Sequence, residues 1–191
     1  RKSGDRLRIS AQLIETARGF HRWCEQYDRR LADVFAVQDD IARSVLSALT
    51  SEILGKAPPP IIRPSTASMD AYLLYLQGRS FWHRRYEGHL QRAMGCFEQA
   101  LRQDPAFAPA YCGLADCYGT LGVWGFAAPH EVFPTLAELA RHALDLDPSL
   151  REAHVSLAQW HVFYNWDWAA AQREVSRALE LNPGSALTHL W

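Results

Sequence analysis

"FEQALRQDP" (97–105), "ARHALDLDP" (140–148) and "VSRALELNP" (175–183) say nearly the same thing three times within 191 residues. Each has a small residue, a Leu, an acid or amide and a closing Pro at matching places. Aligned on Pro105, Pro148 and Pro183, the repeats are 43 and 35 residues apart, in the range where periodicity signals stacked helical hairpins. Proline lacks the amide proton a continuing helix needs, so it closes the second helix of each unit and sets the turn into the next.

Outward from these closings, apolar spacing predicts helices over 69–84, 88–103, 107–122, 130–146, 150–164 and 167–181, with a seventh opening at about 185. The first helix of each unit repeats a large residue, a Leu or Gln, a small residue and an aromatic or His. These are Leu74, Gln77, Gly78 and Phe81, then Tyr111, Leu114, Ala115 and Tyr118, then His154, Leu157, Ala158 and His161. The second helices supply Ala93, Phe97 and Ala100, then Leu136, Ala140 and Ala143, then Ala171, Val175 and Ala178. Small residues let two helices approach closely, and apolar stripes on every segment argue for helices stacked on helices.

This pattern resembles the tetratricopeptide repeat, a helix-turn-helix unit, over residues 69–191. The resemblance implies a mainly α fold, a right-handed helix-hairpin solenoid with units at about 71–107, 108–150 and 151–185 and a further repeat starting at 186. The first unit carries extra residues between its helices ("RYEGHL") and the second carries more ("GVWGFAAPHEVF"), while "YNWDWAAAQREVSRALELNP" resembles a variant common in bacterial regulatory proteins.

Ahead of the array, "KAPPPIIRPSTAS" (56–68) is proline-rich and reads as a linker. In residues 1–55, Leu7, Ile9, Ala11 and Leu13 alternate with Arg8, Ser10 and Gln12, the period of a half-buried strand. With "ARG" (17–19) as the turn and "FHRWCEQY" beyond it, the pair reads as a β-hairpin, followed by a helix from Leu31 to near Gly55. The stretch from "GDRLRISAQLIE" to "DVFAVQDDIARSVLSAL" resembles the end of the TolB-like (FlgO-like) α/β domain of bacterial class III adenylate cyclases and winged-helix transcriptional regulators. That resemblance implies an incomplete α/β domain in front of the solenoid, and the start at Arg1 reads as a piece of a longer protein.

Lys plus Arg (20) balance Asp plus Glu (21), which argues against nucleic acid as the partner of this segment. No stretch approaches the ~20 apolar residues of a membrane span. Cys24, Cys96, Cys112 and Cys117 fit no common zinc framework and read as reduced, half-buried thiols. A cytoplasmic setting is expected, whether or not the parent protein is membrane-anchored.

No catalytic, cofactor-binding or metal-binding set is expected. His154 and His161 share a helical face but occupy core positions, Cys112 and Cys117 point apart, and Trp166 and Trp168 read as packing wedges at a turn. The first helices of a solenoid line its concave face. From the repeat pattern, the groove residues are Tyr72, Tyr75, Arg79, Trp82 and His83, then Pro109, Cys112, Asp116 and Thr120, then Glu152, Val155, Gln159 and Phe163. Their aromatic and mixed polar character suits a docked peptide or helix. Chaperone-tail clamps of this repeat class use a Lys and an Asn on a first helix, where this chain has Tyr75 and Arg79, and the resemblance therefore argues against that ligand.

The expected function is non-enzymatic: a regulatory module that binds a protein or peptide partner, or another domain of the same parent. One alternative is a rigid spacer or dimerisation arm with no external ligand, pairing through the N-terminal hairpin. Another is a small-ligand sensor or part of an enzyme.

Overall fold

The computed structural model describes residues 2–3, 6–14, 21–30, 41, 44, 65–184 and 188. The chain divides into two compact units, Arg1–Pro64 and Ser65–Trp191. In the first, β1 (Lys2–Ser3), β2 (Arg6–Ile14) and β3 (His21–Arg30) form an antiparallel sheet in the order β1-β2-β3. The hairpin of β2 and β3 is the one the alternation predicts, with Arg8 opposite Asp28 and Ile9 opposite Tyr27. Ile9 and Ala11 are half-buried whereas Arg8, Ser10 and Gln12 are exposed, and Arg8 Nη2 pairs with Asp28 Oδ2 at 2.7 Å. The sequence reading has two strands here; the short β1 adds a third, so β2 is paired along both sides. Of the helix expected over 31–55, Ile41 and Ser44 are described and are helical; the rest of it, the 17–19 turn and the prolines of 58–64 lie outside the described residues.

The second unit consists of α1 (Met69–Trp82), α2 (Glu87–Gln103), α3 (Ala108–Val123), α4 (Pro129–Leu146), α5 (Arg151–Trp160) and α6 (Trp168–Leu181). They pair as hairpins α1/α2, α3/α4 and α5/α6, and each hairpin packs on the next. The expected helix over 150–164 is not uniform: a π-helical turn, His161–Asn165, follows α5 and ends at Trp166 in the left-handed region, φ 56°. The extra residue per turn widens the last turn of α5 before the chain reverses. Of the seventh helix, Thr188 is described, helical and buried.

The closing motif has one physical cause repeated three times. Asp104, Asp147 and Asn182 cap α2, α4 and α6 with nearly the same backbone, φ −144°, −144° and −151° and ψ 95°, 96° and 92°. The following Pro disfavours helical geometry at the residue before it. In each case the cap N–H still reaches back to the motif's Ala, at Ala100 O, Ala143 O and Ala178 O. The Asx oxygen then accepts from the amide two residues on: Asp104 Oδ1 from Ala106 N at 3.0 Å, Asp147 Oδ1 from Ser149 N at 2.9 Å and Asn182 Oδ1 from Gly184 N at 3.1 Å. An acid or amide before Pro is thus the residue type that can both leave the helix and tie the turn.

Among the described residues three buried clusters fill the array, the smallest made by Ala71, Ala100, Phe107 and Ala110. Trp82, Leu90, Ala93, Phe97, Leu114 and Cys117 pack together among α1, α2 and α3. Cys112, Ala115, Val132, Phe133, Leu136 and Leu157 do so among α3, α4 and α5. Cys112 and Cys117 therefore lie in different layers; Cys96, Cys112 and Cys117 are buried free thiols and Cys24 is exposed. Phe97 is the wedge of the cluster among α1, α2 and α3. Its ring lies against Gly78 of α1 and Gly113 of α3, where an added Cβ would come within 2.6 Å of it.

Candidate functional site

The first helices α1, α3 and α5 stand side by side as one wall of the solenoid, and a buried hydrogen-bond network crosses it. Asp116 on α3 is at its centre. Its Oδ2 takes a 2.6 Å ion pair from Arg79 Nη1 on α1, and its Oδ1 accepts from Ser156 Oγ on α5 at 3.4 Å. Thr120 Oγ1 donates to the Asp116 carbonyl at 2.7 Å and accepts from Trp82 Nε1 at 3.0 Å. One acid on the middle helix therefore ties three successive repeats.

Burial pushes the Asp116 carboxyl above its ordinary range, and the Arg79 guanidinium and its hydrogen bond oppose that rise. Burial, the largest single influence on Arg79, would depress it, but the attraction and hydrogen bond of Asp116 together with the pull of Tyr75 and Glu152 outweigh it, and the guanidinium is held above its usual value. The Tyr75 hydroxyl is pushed up to about 12, chiefly by burial against a lowering pull from Arg79. Its ring meets Phe107 edge-on at 5.3 Å and Phe97 at 5.8 Å. The Cys112 thiol is raised well above its normal value by burial and by Asp116. Two guanidinium groups, Arg79 and Arg85, lie 4.4 and 4.5 Å from the centre of the Trp82 ring. His83 is pushed below its usual 6.5 by burial and by the charges of Arg79 and Arg85.

The expected groove residues divide into two groups. Trp82, Cys112, Asp116, Thr120 and Val155 are buried, which corrects their expected place on an open surface: they build the wall and are covered by it. For Cys112, Asp116 and Thr120 the physical reason is that α3 lies between two neighbouring first helices, so its inner face is enclosed on both sides; Trp82 of α1 is drawn in by the hydrogen bond from its Nε1 to Thr120 Oγ1. Tyr72, Tyr75, Arg79, Pro109, Glu152, Gln159 and Phe163 are half-buried and His83 is exposed. Glu152 is held by Arg151 at 2.6 Å, Phe163 stacks on Phe133 at 6.2 Å, and the Gln159 amide lies against Gly119. The wall thus spends its strong charges internally and offers aromatic and amide groups outward.

Three contributors were absent from the sequence reading. Ser156, one turn beyond Glu152, brings the third repeat into the network; a small polar residue among apolar neighbours was its only signal. Arg85, in the left-handed region at φ 54°, is placed over Trp82 by the turn. Leu76, one turn from Tyr72, is an exposed large apolar side chain. His154 pairs with Glu174 at 2.7 Å, and His161 packs edge-on against Trp160 at 4.7 Å. Trp166 and Trp168 are exposed, which overturns their reading as packing wedges; Trp166 is turned outward by its left-handed backbone.

This arrangement of helix hairpins is the tetratricopeptide-repeat fold. The unit resembles the first TPR domain of Spaghetti (RPAP3), solved bound to the HSP90 peptide SRMEEVD, with a TM-score of 0.52 and 18% identity over 66% of this chain and 90% of that one. It is similar also to the TPR2B domain of yeast Sti1 in its pHsp70 complex, with a TM-score of 0.51 and 20% identity over 64% and 91%. At such identities the likeness is one of fold. No family model matches the sequence. Among curated proteins, "Putative adenylate cyclase 3" of Rhizobium meliloti (strain 1021) is 31% identical over 160 residues, 83% of this chain. The chain spans about a quarter, 27%, of that relative's length. Among the described residues no helix is long and apolar enough to cross a membrane.

Proposed function

We propose that the chain is a non-enzymatic interaction and regulatory module of a larger bacterial signalling protein, and that it binds a peptide or a partner domain along the wall formed by α1, α3 and α5. The observation that carries this reading is the Arg79–Asp116–Ser156 link through three repeats. A wall tied together before a partner arrives loses little conformational freedom on binding, so shape and outward-facing aromatic groups can be turned into affinity. The solved TPR domains bound to HSP90 and Hsp70 peptides lend the general mode. The partner here differs, because the one strong cation of the expected groove, Arg79, is already neutralised by Asp116. An uncharged, aromatic or aliphatic segment suits this surface better than a free carboxylate.

The likeness to the curated cyclase supports placing this module beside a nucleotide-cyclising effector, and the antiparallel hairpin is read as the end of a TolB-like domain in that parent. A winged-helix effector is the alternative parent, and a cytoplasmic setting goes with either. Selection of peptides from a displayed library on the intact chain tests the groove. Selected peptides should lose at least tenfold in affinity, about 1.4 kcal/mol, on Tyr72→Ala, His83→Ala or Gln159→Ala. Equal binding to all three variants rules the wall out as the binding surface.

A further inference from the structure

The C-terminal ends of the first helices are held together: Trp82 Nε1 meets Thr120 Oγ1 at 3.0 Å, and Gln159 lies against Gly119. The turns that follow α1, α3 and α5 therefore line one edge of the solenoid. The α3–α4 turn exposes Trp124 (56%) and Phe126 (39%), stacked with centroids 6.5 Å apart. Around the α5–α6 turn, Tyr164 (37%), Trp166 (71%) and Trp168 (60%) are exposed, the two indoles edge to face at 6.3 Å. Phe133 joins the two groups, packing beside Gly122 and 6.2 Å from Tyr164.

An aromatic side chain carries roughly 150–250 Å², so at these exposures the five present about 500 Å². One side of a standard protein interface covers about 800 Å², a little over half of it apolar. The aromatic edge thus supplies about the apolar share of one such side. Its charges are ordered as well. The α1–α2 end carries Arg84, Arg85 and Arg92 against Glu87, whereas the α5–α6 turn places Asp167, the cap of α6, between its two exposed indoles, with Arg173 farther along α6. An edge that is basic at one end, aromatic in the middle and presents one carboxylate between exposed indoles at the other is complementary to itself when reversed.

We propose that this edge is a self-association surface on which two copies of the chain pair antiparallel about a two-fold axis near the α3–α4 turn. A two-fold contact uses the same patch on both copies, and reversal places the arginines of one copy over Asp167, Trp166 and Trp168 of the other. Ion pairing and cation–π contact then act together, while parallel pairing would set like charges against each other. The edge meets the α1/α3/α5 wall at Arg85, but Trp124, Trp166, Trp168, Arg84 and Arg92 lie outside that wall, so variants at these positions test it independently of the binding proposal.

Sedimentation velocity on the intact chain across the micromolar range tests it. A monomer–dimer equilibrium is expected. Trp124→Ser with Trp166→Asn should weaken it at least tenfold, Asn being a residue that tolerates the left-handed backbone of position 166. Arg84→Glu with Arg92→Glu, both exposed, should weaken it comparably by repelling Asp167. Circular dichroism checks that helix content is kept, and Trp168→Gln alone reads the same surface if a double variant loses it. A chain monomeric throughout overturns the proposal. So does a dimer insensitive to either double variant, including one that dissociates only when the N-terminal hairpin is removed.

Discussion

Replacing Gly113 by Ala drives a methyl group to within 2.6 Å of the Phe97 ring, which Gly78 bounds equally closely. Phe97 is fully buried and cannot retreat. Overpacking of this kind costs about 1–3 kcal/mol, offset by about 1 kcal/mol because Ala favours helix over Gly; the net change should be a loss of about 0–2 kcal/mol. Phe97→Ala alone removes the wedge and should cost about 3–5 kcal/mol, transfer and cavity terms together. In that background the steric term vanishes, and Gly113→Ala should become stabilising by about 1 kcal/mol. The coupling is therefore the steric term itself, about 1–3 kcal/mol, measurable by urea denaturation followed at 222 nm on the four members of the cycle. Phe97→Leu can replace Phe97→Ala if too little folded protein remains. If Gly113→Ala shifts stability equally in both backgrounds, the reasoning about close helix approach is wrong.

Arg79→Met should destabilise by about 3 kcal/mol by leaving Asp116 buried without its counter-charge, and adding Asp116→Leu should recover most of that loss; chemical denaturation reads both, and additive losses would contradict the ion-pair argument. His83 should titrate below 6.5 in side-chain NMR spectra, and Arg79→Ala or Arg85→Ala should raise its midpoint. With the folded value lowered, the unfolded chain binds more protons in that window, so this residue's stabilising contribution is full above 6.5 and lost as pH falls through the folded midpoint. Thiol labelling read by mass spectrometry should modify exposed Cys24 first, while Cys112 and Cys117, buried and with raised thiol pKa, should react only as the chain unfolds.

The helices were legible because their signals are local. Ala100, Ala143 and Ala178 accept the cap amides, and the Asx–Pro pairs that follow leave the helix by the same backbone path, so short segments carry the repeat. The alternation of Ile9 and Ala11 with Arg8, Ser10 and Gln12 was local in the same way. The candidate site was legible in its helices and less so in its surface. Repeat spacing puts Asp116 and Thr120 on the inner face of α3, but their burial follows from two flanking helices and from Arg79, 37 residues away. Gly113 lies outside the repeated small positions Gly78, Ala115 and Ala158, and its need for glycine comes from Phe97 of another helix, a contact that spacing within α3 does not encode. The exposure of Trp166 depends on a π turn and one left-handed residue, neither of which apolar periodicity encodes.

Hydrogen exchange of the intact chain, with and without a peptide selected by display, tests the binding wall most directly. Added protection concentrated in 69–83, 108–123 and 151–165, with α2, α4 and α6 little changed, is the expected result. Protection centred on α2, α4 and α6, with α1, α3 and α5 unaltered, would contradict it.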